Sequence, residues 1–300
     1  MRTLPRAVAV AIAALVVAGC SGSAPASPSA PLPSGALPPQ PSPVAGTFWL
    51  RAMTTAALPP LNVFGSLPMV VITADSVVVR PGPVPAIFPG PAVVPLVGRS
   101  ITVAGRLAIV NAAKVLGLLG GSGDFSGGGI APGGVTGRIE LTVDGTRVTI
   151  TGNPSAPTGC GSTSCNPPAG TPAAFAELWR RLGDLEGWFA PELGTEHAYV
   201  PVAYAVLVGP APVQNVQLPQ PPMVWPLASQ MALFGGPVAN GQARCGTVSG
   251  ADVAPFAAAL AKANALTQWH QDAATNATRG LTVRPMVEGE DACRETFGPA

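Results

Sequence analysis

Five cysteines, two histidines and fifteen acidic residues are the groups in this 300-residue chain that could carry chemistry. A cysteine can serve as a nucleophile, a disulfide partner or a metal ligand. Cys160, Cys165, Cys245 and Cys293 form an even set, as in chains that fold in an oxidising compartment. The pairing expected is Cys160–Cys165, across the bendable "CGSTSC", with Cys245–Cys293 closing a long loop. Only one C-x4-C pair exists and no histidine stands at ligand spacing from it, so disulfides are preferred to zinc and no cofactor is expected. His197 follows Glu196, and His270 lies near Asp272. Either pair could act as a general base, but no matching nucleophile is visible, and a histidine at a helix end commonly caps carbonyls. Glu186 with Glu192, or Glu288 with Glu290, would suit glycoside hydrolysis only at a separation that sequence does not show. The glycine-rich stretch 120–134 lacks G-x-G-x-x-G, and neither G-K-[ST], G-x-S-x-G nor H-E-x-x-H occurs. No catalytic residue is assigned.

The fifth cysteine is different. Arg2 and Arg6 precede an uncharged apolar run, 7–19, that stops at Cys20. A bilayer span needs about 20 apolar residues, and this run is shorter. A positive start, a short apolar middle and small residues at the end mark a signal peptide. Val17-Ala18-Gly19-Cys20 resembles the lipobox of bacterial prolipoproteins, with Val17 where that family commonly has Leu. The resemblance implies cleavage before Cys20, a diacylglycerol (palmitate-bearing) thioether on its sulfur, and attachment to the extracytoplasmic face of the cell membrane. Two acyl chains are what stable anchoring requires.

Residues 20–46 then read as a lipidated end and a tether. Between 21 and 46 there are 8 Pro, 3 Gly and no charge. Such a segment cannot bury enough apolar surface to fold. At about 3.1 Å per residue it reaches up to roughly 80 Å. The body, 47–300, is apolar-rich. The whole chain is 47% hydrophobic and 10% charged, against about 25% charged in typical domains. It has no basic stripe, which excludes the electrostatic footprint of a nucleic-acid binder.

The elements that would position these groups follow from pattern. "PMVVITADSVVVRPG" predicts a hairpin about Asp75-Ser76. "GRIELTVDGTRVTITG" predicts a stronger one, because Asp144-Gly145 suits a type I′ turn. There Ile139, Leu141 and Val143 share one face, with Arg138 and Glu140 on the other. Apolar spacing predicts a helix over 100–119, stopped by Gly120-Gly121, followed by a flexible loop. Thr171 and Pro172 start a second helix. A third starts near Ser249 or Asp252. "FAELWRRLGDLEGW" and "FAAALAKANALTQW" both read F-A-x8-L-x2-W, which suggests two repeated helix–strand lobes with Trp188 and Trp269 ending their helices, buried against a sheet. The strands "AYAVLVG" and "GLTVRPM" follow. The expected fold class is α+β, antiparallel hairpins with helices on one face, and a sub-boundary near 210–226.

"TAD" in a hairpin, "IFPGP", and "PAAFAELWRRLGDLEGWFAPELG" leading to "YVPVAYAVLV" resemble uncharacterised lipoproteins of high-GC Gram-positive bacteria. That resemblance implies the fold and the location, and no activity. The scarcity of reactive side chains favours a non-catalytic module that binds an envelope protein, glycan or lipid over an envelope hydrolase with a non-local active site. Leu218, Met223, Val224 and Trp225 are the candidate interaction loop, with tucking back on the core as its competitor.

Overall fold

The structure, a computed structural model, describes residues 48–56, 58–120, 123–127, 134–159, 166–213, 217–271 and 277–298. Cys20, the signal and tether expectations, and Cys160 with Cys165 lie outside these residues. In chain order the first half runs β1 (Phe48–Ala56), α1 (Pro60–Val63), β2 (Val70–Thr73), β3 (Val77–Pro81), β4 (Leu96–Ser100), α2 (Val103–Val115), β5 (Gly123–Phe125), β6 (Val135–Val143), β7 (Thr146–Gly152), α3 (Pro172–Gly183), α4 (Leu185–Phe189) and β8 (His197–Tyr199). The second half runs β9 (Ala203–Pro210), β10 (Met223–Val224), β11 (Gly236–Val238), β12 (Ala243–Ser249), α5 (Val253–Leu260), β13 (Trp269–His270), β14 (Arg279–Met286) and α6 (Ala292–Phe297). The fold is α+β, and all these elements fall in the unit Pro43–Ala300.

The first sheet has eight strands in the order β5-β7-β6-β1-β2-β3-β4-β8. Both predicted hairpins are in it. Ser76 takes φ 64° at the β2–β3 turn, where the Val77 amide donates to the Thr73 hydroxyl at 3.1 Å. At the β6–β7 turn Asp144 and Gly145 take φ 48° and 76°, the pair of positive values that a type I′ turn demands. Leu50, Ala52, Ile72, Ile139, Leu141 and Ile150 point to one face and pack under α2 and α3. Phe175 of α3 lies on two glycines: a Cβ on Gly152 would stand 2.5 Å from its ring, and one on Gly137 2.8 Å. Larger residues there would lift the helix off the sheet.

Two helices end earlier than the periodicity suggests. Thr102 caps α2 by accepting from the Gly105 amide. The helix stops at Leu116, because Gly117 turns left-handed at φ 67° and its amide donates to Lys114, while the Leu118 amide reaches back to Ala113. This is the Schellman arrangement, and it acts three residues before Gly120. Of the expected flexible loop, residues 123–125 are strand β5, paired in parallel with β7. Thr171 does start α3, accepting from the Ala174 amide. The expected single helix then breaks at Asp184, whose carboxylate accepts from the Gly187 amide and opens α4.

The second sheet has six strands, β10-β13-β14-β9-β12-β11, with β9 paired antiparallel to both β12 and β14. The chain changes sheet at 200–202, and 210–226 lies inside the second sheet's own course. Tyr204, Val206, Val208 and Val283 pack on one face with Phe256 of α5. The other face is covered too: Ala205, Leu207 and Cys245 pack with Phe64, Ala292 and Phe297, so this sheet has helices on both sides. The expected helix through Trp269 ends at Leu260. The Asn264 side chain accepts from the Leu266 amide, and the Asn264 amide donates to Thr267 Oγ1. This local turn outcompetes the helix. Trp269 is buried in strand β13, whereas Trp188 is half-buried in α4. The F-A-x8-L-x2-W match is therefore not a structural repeat.

A chain of charges, buried at Arg51, Glu140 and Arg284 and running out to half-exposed Arg138 and exposed Glu295, joins the two sheets. Arg51 of β1 donates to Glu140 of β6 at 2.8 Å and to Glu295 of α6 at 2.6 Å. Arg138 donates to the other Glu140 oxygen at 2.7 Å. Arg284 of β14 donates to Glu290 at 2.6 Å, and Glu290 also accepts from the Val287 amide. Arg51 and Arg147 each lie over the ring of Phe48, at 4.5 and 4.1 Å from its centre. Burial pushes the Glu140 carboxyl up, but Arg51 and Arg138 outweigh it and hold it below the ordinary range.

Candidate functional site

The second sheet and α6 line an open groove of about 1070 Å³. One wall is the β11–β12 hairpin, 236–242. The opposite wall is α6, and Pro59-Pro60-Leu61 close one end. Cys245 and Cys293 are disulfide-bonded in its lining, with Cα atoms 5.8 Å apart, so α6 is fastened directly to β12. Phe297 stacks on Phe64 at 5.9 Å, and Asp291 caps α6 by accepting from the Arg294 amide at 3.1 Å. A second opening of about 480 Å³ shares Leu61 and Gln242 with the first and runs along Leu207, Gly209 and Leu281.

The hairpin tip is unusual. Ala239, Asn240 and Gly241 take φ 50°, 57° and 81° in succession. Left-handed backbone costs a non-glycine residue roughly 1–2 kcal/mol, and such strain gathers where function needs a shaped surface. The tip holds the Asn240 and Gln242 amides on the groove's lip. Facing them from α6 are Arg294 and Thr296. The set supplies neutral amides, one cation, the Asp291 carboxylate and apolar lining from Pro59, Pro60 and Pro237. It can hold an extended chain by hydrogen bonds and packing.

The residues singled out from sequence fall elsewhere or apart. His197 is exposed on β8, its Nδ1 3.4 Å from the Thr195 carbonyl. Neighbouring Glu196 is spent on Arg99 at 2.9 Å, and Glu186 binds the same arginine at 2.7 Å. Glu192 instead accepts from the Thr102 hydroxyl, so Glu186 and Glu192 are held by different partners. Glu290 belongs to the charge chain, bonded to Arg284 and to the Val287 amide. His270 lies on β13, not after a helix, and Asp272 is outside the described residues. Neither histidine lines either opening. Tyr199 is held protonated, because burial and then Glu288 and Glu290 push its hydroxyl up. Trp225 is buried, its Nε1 donating to the Ser229 carbonyl at 2.8 Å, and Met223 packs on the same core. Leu218 and Val224 are exposed. Met223 and Val224 form a strand paired in parallel with β13, so that segment is not irregular as the sequence suggests.

No family model, curated protein or solved structure matches this chain. Among the described residues no helix is long and apolar enough to cross a membrane, and no cluster of three His, Cys, Asp or Glu could hold a metal ion. The groove went unnoticed in the sequence, although its tip carries a signal. Asn240-Gly241 is a hairpin dipeptide and sits just before Cys245.

Proposed function

We propose that this chain is a lipid-anchored extracytoplasmic lipoprotein whose body is a non-catalytic binding module. Its ligand is an extended polypeptide segment of an envelope partner, seated in the groove between α6 and the 236–242 hairpin. The observation that carries this reading is the strained Ala239-Asn240-Gly241 tip, which sets side-chain amides on the lip of a proline- and glycine-walled groove. Amide side chains match the alternating donors and acceptors of an extended backbone, as in other strand-like recognition modes. A sugar would ask for exposed aromatic platforms, and the groove's one aromatic, Phe297, is stacked inward on Phe64. The anchor is supported by the apolar run and Val17-Ala18-Gly19-Cys20.

A photo-crosslinker at Asn240, in the intact protein in its own membranes, should capture one discrete envelope protein. The same crosslinker at exposed Val213 should not. Equal capture at both sites would refute the groove. Turnover of a peptide, glycan or ester substrate that is lost in His197→Ala or His270→Ala would replace binding with hydrolysis. For the anchor, Cys20→Ser should abolish palmitate labelling and leave either the uncleaved precursor or a shed protein. Labelling and membrane fractionation that survive the change would remove the lipoprotein reading.

A further inference from the structure

Helix α2 carries an apolar outer face. Val103, Leu107 and Val115 are 64%, 55% and 61% exposed, aligned over three turns. Side chains at such spacing form one stripe. Asn111 and Lys114 share that face, and the helix contains no acidic residue. Its inner face is saturated by the first sheet through Ile109, Ala112 and Ala113. Nothing in the fold calls for three large apolar groups outside.

The place where the tether enters the body argues for what meets them. The described chain begins at Phe48, and the next residue, Trp49, lies under the guanidinium of Arg106, 4.4 Å from the ring centre. Arg106 belongs to α2. The first described strand therefore begins beside this helix.

We propose that the outer face of α2 rests on the bilayer to which the chain is tethered. This rests on the lipid-anchor reading given above. Three partly exposed side chains and one lysine bind a membrane only weakly on their own. A tether changes that, because it raises the local concentration of surface to about the millimolar range. The anchor supplies attachment and the helix supplies orientation. With α2 down, the body stands in a fixed attitude over the membrane.

The test uses the full-length protein with a bimane fluorophore on Asn111→Cys, reconstituted into vesicles of phosphatidylcholine and phosphatidylglycerol that carry brominated acyl chains. A chain recovered without lipid is added to the same vesicles, and palmitate labelling reports the anchor separately. Quenching at position 111 should exceed that of the same label at Val213→Cys by about threefold, as expected for a face at the acyl boundary. Val103→Ser with Leu107→Ser and Val115→Ser should erase the difference while the circular dichroism spectrum and Tm stay unchanged. Equal quenching at 111 and 213 would overturn the proposal. So would a difference that survives the triple substitution, or self-association in which labels at 111 of two copies quench each other without brominated lipid.

Discussion

Glu140→Ala is expected to destabilise the body by about 1–3 kcal/mol, the cost of leaving buried hydrogen-bond donors of its partner unsatisfied. Glu140 is buried and answers two arginines at once, Arg51 and Arg138. Removing it leaves buried Arg51 with Glu295 as its bonded carboxylate and releases the half-exposed Arg138. Urea unfolding at neutral pH measures the loss. The same carboxylate gives the protein an acid limit. Its folded pKa is held below the ordinary 4.5, and that of buried Glu177 is likewise lowered: burial opposes this, but Arg180 and Arg181 prevail. A depressed carboxyl contributes stability above its unfolded pKa and loses it as pH falls through the folded value. The urea midpoint should therefore hold level from neutral pH down to about 5 and drop below about 4.5. Glu140→Gln should start lower and show a shallower acid limb. A limb of unchanged steepness would mean that Glu140 is not the group that titrates.

Cys245→Ala with Cys293→Ala should cost about 4 kcal/mol, from a bridge that spans 48 positions. For a body of this size that is a fall in Tm on the order of 10 °C. The bond also holds α6 against β12, so the groove loses the fastening of one wall. Capture by the Asn240 crosslinker should fall with it, even at temperatures where the circular dichroism spectrum is intact. A double variant that unfolds at the parent's temperature and captures the partner as before would show that α6 is held by packing alone.

The contrast between what sequence disclosed and what it hid has a physical basis. Asp75-Ser76 and Asp144-Gly145 announced their hairpins, and Thr171-Pro172 announced a helix start, because backbone conformation at those points is set by the residues themselves. Period-2 alternation put Arg138 and Glu140 on the face opposite Ile139. It could not say whether that face meets water or a second layer, and the second layer comes from residues beyond 280. Helix stops were harder. Ala261 and Lys262 favour helix, yet the Asn264 turn prevails through contacts that propensity does not include. The Cys245–Cys293 pairing is legible because the bendable CGSTSC claims the other two cysteines for each other. The groove was not, since it is assembled from 59–61, 236–242 and 291–298, and the one local signal among them, Asn240-Gly241, marks a turn and not what the turn borders. Trp225 went to the core, as its competing reading allowed, because an indole with its N–H satisfied is worth more inside.

The buried charges also set an order of events during biosynthesis. Arg51 is near the start of the body, and its partner Glu295 lies 244 positions later. Contacts so distant in sequence reward the chain only after the whole loop between them has closed. A polypeptide emerging from its N-terminus can answer Arg51 with Glu140 on the neighbouring strand, but the second carboxylate, Glu295, comes only when almost the last residue is available. The first sheet, whose strands all lie within 48–199, can therefore form before the second is complete. Final consolidation then waits on the last turn of sequence, Ala292 to Phe297, which brings Glu295 and the second half of the disulfide together.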